Sequence, residues 1–197
     1  MINRQEGKRL DLFKMYGYDI PKARNFVLFK AGKMRGRILE VGTGRGHMAA
    51  ALAKSGFRLV SIDLDREAQK SARANLKTLK LEKAVTFRIM NAEKLLYQDN
   101  CFDYLLSVNF IHHAENPVKC LKEMVRVSKI KIILADLNKR GEKIMEKVHA
   151  LDGHRHAASK MTMFGARDYL REAGLMTKIY RDVCQTVIVA EKKPGLI

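Results

Sequence analysis

The chain has 197 residues and a formal charge of +17, with 47% hydrophobic and 30% charged residues. That profile argues against a disordered chain, and no apolar run approaches the ~20 residues a membrane-spanning helix needs. The length predicts one domain, and the polar, mixed-charge stretch Met1–Lys14 lacks the apolar core of a signal peptide, which predicts a cytoplasmic protein.

Charge is unevenly distributed. Residues 1–37 hold 10 basic and 3 acidic side chains, net +7, and residues 117–197 hold 17 and 9, net +8, while 38–116 are almost balanced. Basic flanks attract nucleic acid or other anions, so RNA stands as a candidate partner beside the plain alternative of a lysine-rich solvated surface. Cys101, Cys120 and Cys184 are odd in number and widely spaced, which predicts small buried side chains rather than disulfides or a zinc site.

In chain order, two helices are expected first, roughly Asn3–Met15 and Pro21–Lys33, broken at Tyr16-Gly17-Tyr18. Arg37–Val41 reads as the first core strand, Gly46–Ser55 as a helix of small and apolar residues, and Arg58–Asp63 as the second strand. Asp65 is placed to cap the next helix, whose Ala68, Ala72, Leu76 and Leu79 recur at helical spacing. Val85–Met90 and Tyr104–Val108 follow as strands. Asn116-Pro117 starts a helix with Val118, Leu121, Met124 and Val125 as its apolar stripe. Lys131–Asp136 is a doubly buried strand, Lys139–Leu151 a charged helix, and Ala166–Ala173 a helix stopped by Gly174. Met176–Asp182 and Thr186–Glu191 are close enough to pair as a hairpin.

This alternation predicts an α/β fold, a Rossmann-like three-layer sandwich with a mostly parallel seven-stranded sheet and a C-terminal antiparallel hairpin. Residues 1–36 form a helical segment ahead of the domain 37–197. Ligands of such sheets bind at the carboxyl ends of the strands.

Gly42, Gly44 and Gly46 follow the first strand directly and open a helix, so the backbone can turn tightly against a ligand. The spacing is G-x-G-x-G after Glu40, with His47 where a dinucleotide fingerprint has its third glycine, and no Gly-Lys-Ser/Thr follows. A nicotinamide dehydrogenase and a phosphate loop are therefore disfavoured. Asp63 ends the next strand 19 positions after Gly44, where a carboxylate can accept both hydroxyls of a ribose.

ILEVGTGRGHMAAALAKSGFRLVSIDLD and NAEKLLYQDNCFDYLLSVNFIHHAENPVKCLKEMVRV together resemble the ordered motifs of class I S-adenosylmethionine-dependent methyltransferases, in the branch called type 11. The resemblance implies S-adenosylmethionine as cofactor and S-adenosylhomocysteine as product. It implies that Glu40 orients the loop and meets the cofactor amino group, and that Gly42, Thr43 and Gly44 face the methionine portion. Asp63 is then the ribose ligand, Leu64 packs on adenine, Asn91 and Ala92 read the adenine edge, and Asn109 lies by the methionine end. Asn91 stands where the family usually has Asp, but its carbonyl oxygen can still accept from the adenine amino group. The segment before the domain is expected to fold over the cofactor as a lid.

His112 and His113 follow the fourth strand and are the candidate bases for taking a proton from an O or N nucleophile; the alternative is a structural or cofactor-adjacent role. His149, Asp152, His154 and His156 fit no familiar metal spacing, and no metal is expected. The leading reading is methyl transfer to a small-molecule O or N atom. An RNA or protein methyltransferase and a non-catalytic cofactor-binding regulator remain as alternatives. Asn109-Phe110-Ile111-His112 lacks the prolines typical of amino-group base methylation.

Overall fold

Seven strands and seven α-helices form among residues 4–151 and 161–193, the parts of the chain that the computed structural model describes. Helices α1 (Arg4–Met15) and α2 (Ile20–Ala31) precede β1 (Ile38–Val41), α3 (His47–Lys54), β2 (Leu59–Asp63), α4 (Arg66–Thr78) and β3 (Val85–Ile89). Then come β4 (Phe102–Val108), α5 (Pro117–Val127), β5 (Ser128–Leu137), α6 (Lys139–Leu151), α7 (Met163–Glu172), β6 (Met176–Arg181) and β7 (Gln185–Glu191).

The sheet order is β3-β2-β1-β4-β5-β7-β6. Strands β1 to β5 run parallel, and β7 is antiparallel to both β5 and β6, which gives the C-terminal hairpin. Period-two alternation sends side chains to two cores. Ile38, Leu59 and Leu106 meet Val27 and Ala31 of α2, Leu52 of α3 and Leu76 of α4. Leu39, Leu105 and Ile132 face the other way, onto Leu121 and Met124 of α5 and Leu170 of α7. A third cluster joins Phe13 and Tyr18 to Ile144 and Val148 of α6. These are the layers of the Rossmann-like three-layer sandwich expected from the sequence. Among the described residues, no helix is long and apolar enough to cross a membrane.

Capping chemistry sets the helix starts. Asp65 Oδ1 accepts from the N–H groups of Glu67 and Ala68, and Asn116 Oδ1 accepts from that of Lys119. Three details differ from the sequence expectation. In α5 the buried stripe is Pro117, Cys120, Leu121, Met124 and Val127, while Val118 is exposed, because Pro117 at the first helical position sets the phase. Helix α7 begins at Met163, earlier than Ala166, because the Thr162 side chain accepts from Gly165 N–H. The face of α4 includes buried Gln69 and Asn75, which bond to the Arg88 and Arg45 carbonyls and tie the helix to its surroundings. The three cysteines are free thiols; Cys120 and Cys184 are buried, and Cys101 is half-buried.

Candidate active site

The chain order reverses direction between β1 and β4, and there the carboxyl ends of two neighbouring parallel strands open a crevice. Gly42 leaves β1 at φ +88°, and a Cβ on it would lie 2.7 Å from Phe110 Cβ, so only glycine fits. Gly44 differs. It also has positive φ, but a Cβ there would meet nothing within 4 Å. Its N–H donates to Asp63 Oδ2 at 2.9 Å, so the carboxylate that ends β2 holds the middle of the loop.

Under the loop runs a buried chain of hydrogen bonds. Thr43 Oγ1 and Ser61 Oγ lie 2.6 Å apart, and Ser61 Oγ donates to Glu40 Oε2 at 2.5 Å. Glu40 is fully buried, and that burial pushes its carboxyl up to about 8, against the lowering effect of the Ser61 bond and the Arg24 charge.

The loop forms one wall of a cavity of about 780 Å³. Glu40, Gly42, Thr43, Gly44, Asp63 and Leu64 all line it, as do Asn91, Ala92, Asn109, His112 and His113. The structure thus brings the residues expected to hold the cofactor and the two candidate bases to one space. Leu64 is largely exposed on the rim, and Ala92 is buried. Asn91 Oδ1 already accepts from Glu93 N–H at 2.8 Å, which fixes the side chain and uses one of its oxygen's two lone pairs.

Asn109 sits at φ +55° at the end of β4, and its Nδ2 donates to Tyr18 Oη at 3.3 Å. Tyr18 Oη also accepts from Arg24 Nη1 at 3.2 Å. Arg24, on α2, is only 5% exposed, lines the cavity and makes no salt bridge with a described acid. Three cavity-lining residues keep a buried polar atom without a hydrogen-bond partner: Glu40 Oε1, Arg24 Nε and Asn109 Oδ1. Buried polar groups are rarely left so, because each costs stability until a partner arrives.

Across the cavity, a 3-10 turn spans Ile111–His113. His112 Nδ1 lies 2.5 Å from Asp136 Oδ1, and His112 N–H donates to Asp136 Oδ2 at 3.1 Å. Asp136 is 5% exposed near the end of β5 and also accepts from Leu137 N–H. The His113 ring rests against that of His112, with centroids 3.9 Å apart.

The methyltransferase-domain model of the type 11 family matches residues 39–135. The norajmaline N-methyltransferase of Rauvolfia serpentina is 34% identical over 92 residues, covering 46% of this chain and 32% of that protein. Residues 39–135 are a class I S-adenosylmethionine-dependent methyltransferase domain. A ubiquinone/menaquinone biosynthesis C-methyltransferase of Rickettsia typhi is 30% identical over 131 residues, covering 62% of this chain and 53% of the relative. The chain therefore spans about a third and about half of the lengths of these two curated relatives. A methyltransferase dependent on S-adenosylmethionine from Aquifex aeolicus superposes with a TM-score of 0.67 at 21% identity, over 86% of this chain and 89% of its own.

The residues present fit the family's cofactor. The open cradle at Gly44 leaves room for a ligand against the backbone. The unpartnered Oε1 of Glu40 and Nε of Arg24 suit the ammonium and carboxylate of an amino acid.

The sequence reading missed three contributors, Arg24, Asp136 and Ser61, and named Tyr18 only within the segment expected to act as a lid. Ser61 and Asp136 carried a usable signal, each a polar residue inside or ending an otherwise apolar strand. Arg24 carried none, since surface helices are full of arginines. Arg45 of the loop lines the cavity and pairs with Glu6 of α1 at 2.9 Å, and His47 lies 3.0 Å from the same carboxylate. Burial pushes Glu6 up, but His47 and Arg45 together outweigh it and hold the carboxyl below its usual range. His149 lines the cavity; Asp152, His154 and His156 lie outside the described residues. No metal-binding cluster occurs among the described residues.

Proposed function

We propose that the protein transfers a methyl group from S-adenosylmethionine to a small, apolar-bodied acceptor with a weakly acidic proton. The observation that carries this reading is the trio of unpartnered buried atoms on Glu40, Arg24 and Asn109 beside the glycine loop. A carboxyl and a guanidinium at one end of a cavity complement a zwitterion, and Asp63 at the loop's other side suits a ribose. Bound there, the cofactor supplies an already activated methyl group. The chain's own residues bind, orient and manage one proton.

Asp136 fixes the ring of His112 through Nδ1 and its backbone N–H, at a position that lines the cavity. The imidazole would take the proton of the nucleophile as the nucleophile accepts the methyl group. His113 packs on the ring and restricts its rotation. Phe13, Ile20, Phe110 and Met145 give the rest of the cavity an apolar wall, and α1 with the start of α2 acts as its lid. At about 780 Å³ the cavity is large by the standard of ligand pockets, roughly 300–1,000 Å³, and admits a small acceptor beside the cofactor. The relatives include an N- and a C-methyltransferase, so a carbon made nucleophilic by a neighbouring hydroxyl joins oxygen and nitrogen as the atom methylated.

Calorimetric titration with S-adenosylmethionine and S-adenosylhomocysteine should give 1:1 binding, and labelled methyl donor should mark members of a pool of phenols, amines and quinols. No affinity for either cofactor form would end this reading. Cofactor binding with transfer only to RNA or protein would replace its acceptor half.

A further inference from the structure

A second cavity, of about 430 Å³, opens where the turn after α1 meets α6. Its lining is Tyr16, Ile144 and four cations: Lys139, Arg140, Lys143 and Lys147. None of the four reaches a described carboxylate within ion-pair distance, whereas Lys14, Arg45, Lys70, Arg126, Lys131 and Arg167 all do. Glu142 and Glu146 stand on the same helix, three residues after Lys139 and Lys143, but neither lines the cavity or closes a pair.

The arrangement is electrostatically unfavourable on its own. Lys139, Lys143 and Lys147 are successive i,i+4 neighbours, and like charges at that spacing destabilise a helix. Arg140 crowds the same space, because a Cβ on Gly17 would lie 3.3 Å from its Nη2. Lys147 Nζ lies 5.9 Å from the centre of the partly exposed Tyr16 ring. The row is also separate from the reaction cavity. Met145 and His149 of α6 line that one, roughly 140° around the helix at 3.6 residues per turn.

We propose that this concavity docks the phosphate backbone of single-stranded RNA. Three features choose the occupant. The lysine row extends about 12 Å along α6, too long for one phosphate group and suited to successive phosphates of a strand. The face of Tyr16 offers a surface on which a base can stack beside those cations, the pairing of groups that single-strand binders use. The cations sit in a hollow, which admits a strand where a flat lipid surface would bridge it. The two flanks that carry the excess charge of the chain are the ones that meet here, α1 from the first and α6 from the second. The proposal is independent of which acceptor is methylated.

The test is fluorescence anisotropy of a labelled 15-nucleotide uridine RNA against the full chain, from low to physiological salt. Lys143→Glu with Lys147→Glu should weaken binding at least tenfold and reduce the salt slope by about 1.4, the value for two lost contacts to a single strand. Lys54→Glu with Lys77→Glu, an equal charge change on α3 and α4, should weaken it less than threefold. The Lys143→Ala, Lys147→Ala pair repeats the test without reversed charge, and unchanged cofactor affinity in each variant checks that the fold is intact. Three results overturn the proposal: no RNA binding at low salt, equal losses in the two charge-matched pairs, or losses in binding to phosphatidylserine-containing vesicles but not to RNA.

Discussion

With the cofactor's ammonium placed against Glu40 as proposed, binding should be a proton-release reaction. The Glu40 carboxyl has its ordinary value near 4.5 raised to about 8 by burial, with the Ser61 hydroxyl, the Ala49 backbone N–H and the Arg24 charge opposing and Asp63 adding to the rise. At pH 6.5 it is therefore about 97% protonated in the free protein. The cofactor's α-amino group, with a value of about 7.7–8.0, is almost fully an ammonium at that pH. An ammonium brought to the unpartnered Oε1 favours the ionised carboxylate, so the proton leaves on binding. Calorimetry at pH 6.5 in three buffers of different ionisation heat should show about 0.9 proton released per cofactor. By linkage, affinity rises about tenfold from pH 6 to pH 7, levels near 8, and falls above it as the ammonium deprotonates. The stability sign is opposite. Because the folded value is raised, Glu40 favours the free fold fully below its unfolded value, and that advantage is lost as pH climbs through 8. The melting temperature of the cofactor-free chain should fall from pH 5 to pH 8 relative to Glu40→Gln, which should also release no proton. Wild type releasing no proton, or Glu40→Gln releasing as many, refutes the assignment.

Gly44→Ala should cost about 1–2 kcal/mol for its left-handed backbone, since its Cβ meets no atom, yet lower cofactor affinity more than tenfold by filling the cradle. Gly42→Ala should cost more in melting temperature, because its Cβ is driven into Phe110. His112→Ala should cut turnover by about 10²–10⁴, and Asp136→Asn by at least about tenfold, with cofactor affinity within about threefold of wild type in both. Equal turnover at all pH values in Asp136→Asn would remove the paired-base role. Glu6→Gln should destabilise by about 1–2 kcal/mol at pH 7, a value discounted for the half-exposed Arg45. Because the Glu6 carboxyl is held low, that contribution is present above its unfolded value and lost as pH falls through the folded one, so the melting temperatures of the two proteins should converge as the carboxyl protonates.

Local patterns carried most of the fold. Glycine spacing, the Asp65 and Asn116 caps and the doubly apolar fifth strand each encode an element within a few residues of itself, and each stands where the sequence put it. The site was legible along the same strand ends, because topology forces Glu40, Asp63, Asn91 and Asn109 to one edge of the sheet. Partnerships between distant segments were not legible. Arg24 meets Asn109 only through Tyr18, and His112 meets Asp136 from 24 residues away. Glu6 reaches 39 residues to Arg45. Nothing in the periodicity of a helix says which arginine will be buried.

Arg24 shows what such a partnership costs and why it persists. A guanidinium that is 5% exposed gives up its water, and here it recovers one bond to Tyr18 at 3.2 Å and a long one to Gln185 at 3.5 Å, with Nε unpaired. Replacing a poorly compensated buried charge by an apolar side chain of similar volume is often neutral or stabilising by about 1–4 kcal/mol. Arg24→Met should therefore melt at or above the wild-type temperature without cofactor, and bind S-adenosylmethionine about a hundredfold more weakly. Tyr18 keeps its bond to Asn109 in that variant, so the β4 end need not move. Arg24→Lys should recover only part of the affinity, because an ammonium cannot present the two parallel donors that a carboxylate accepts. A large loss of stability in Arg24→Met with affinity preserved would make the arginine a structural strut and leave the zwitterion without its positive partner.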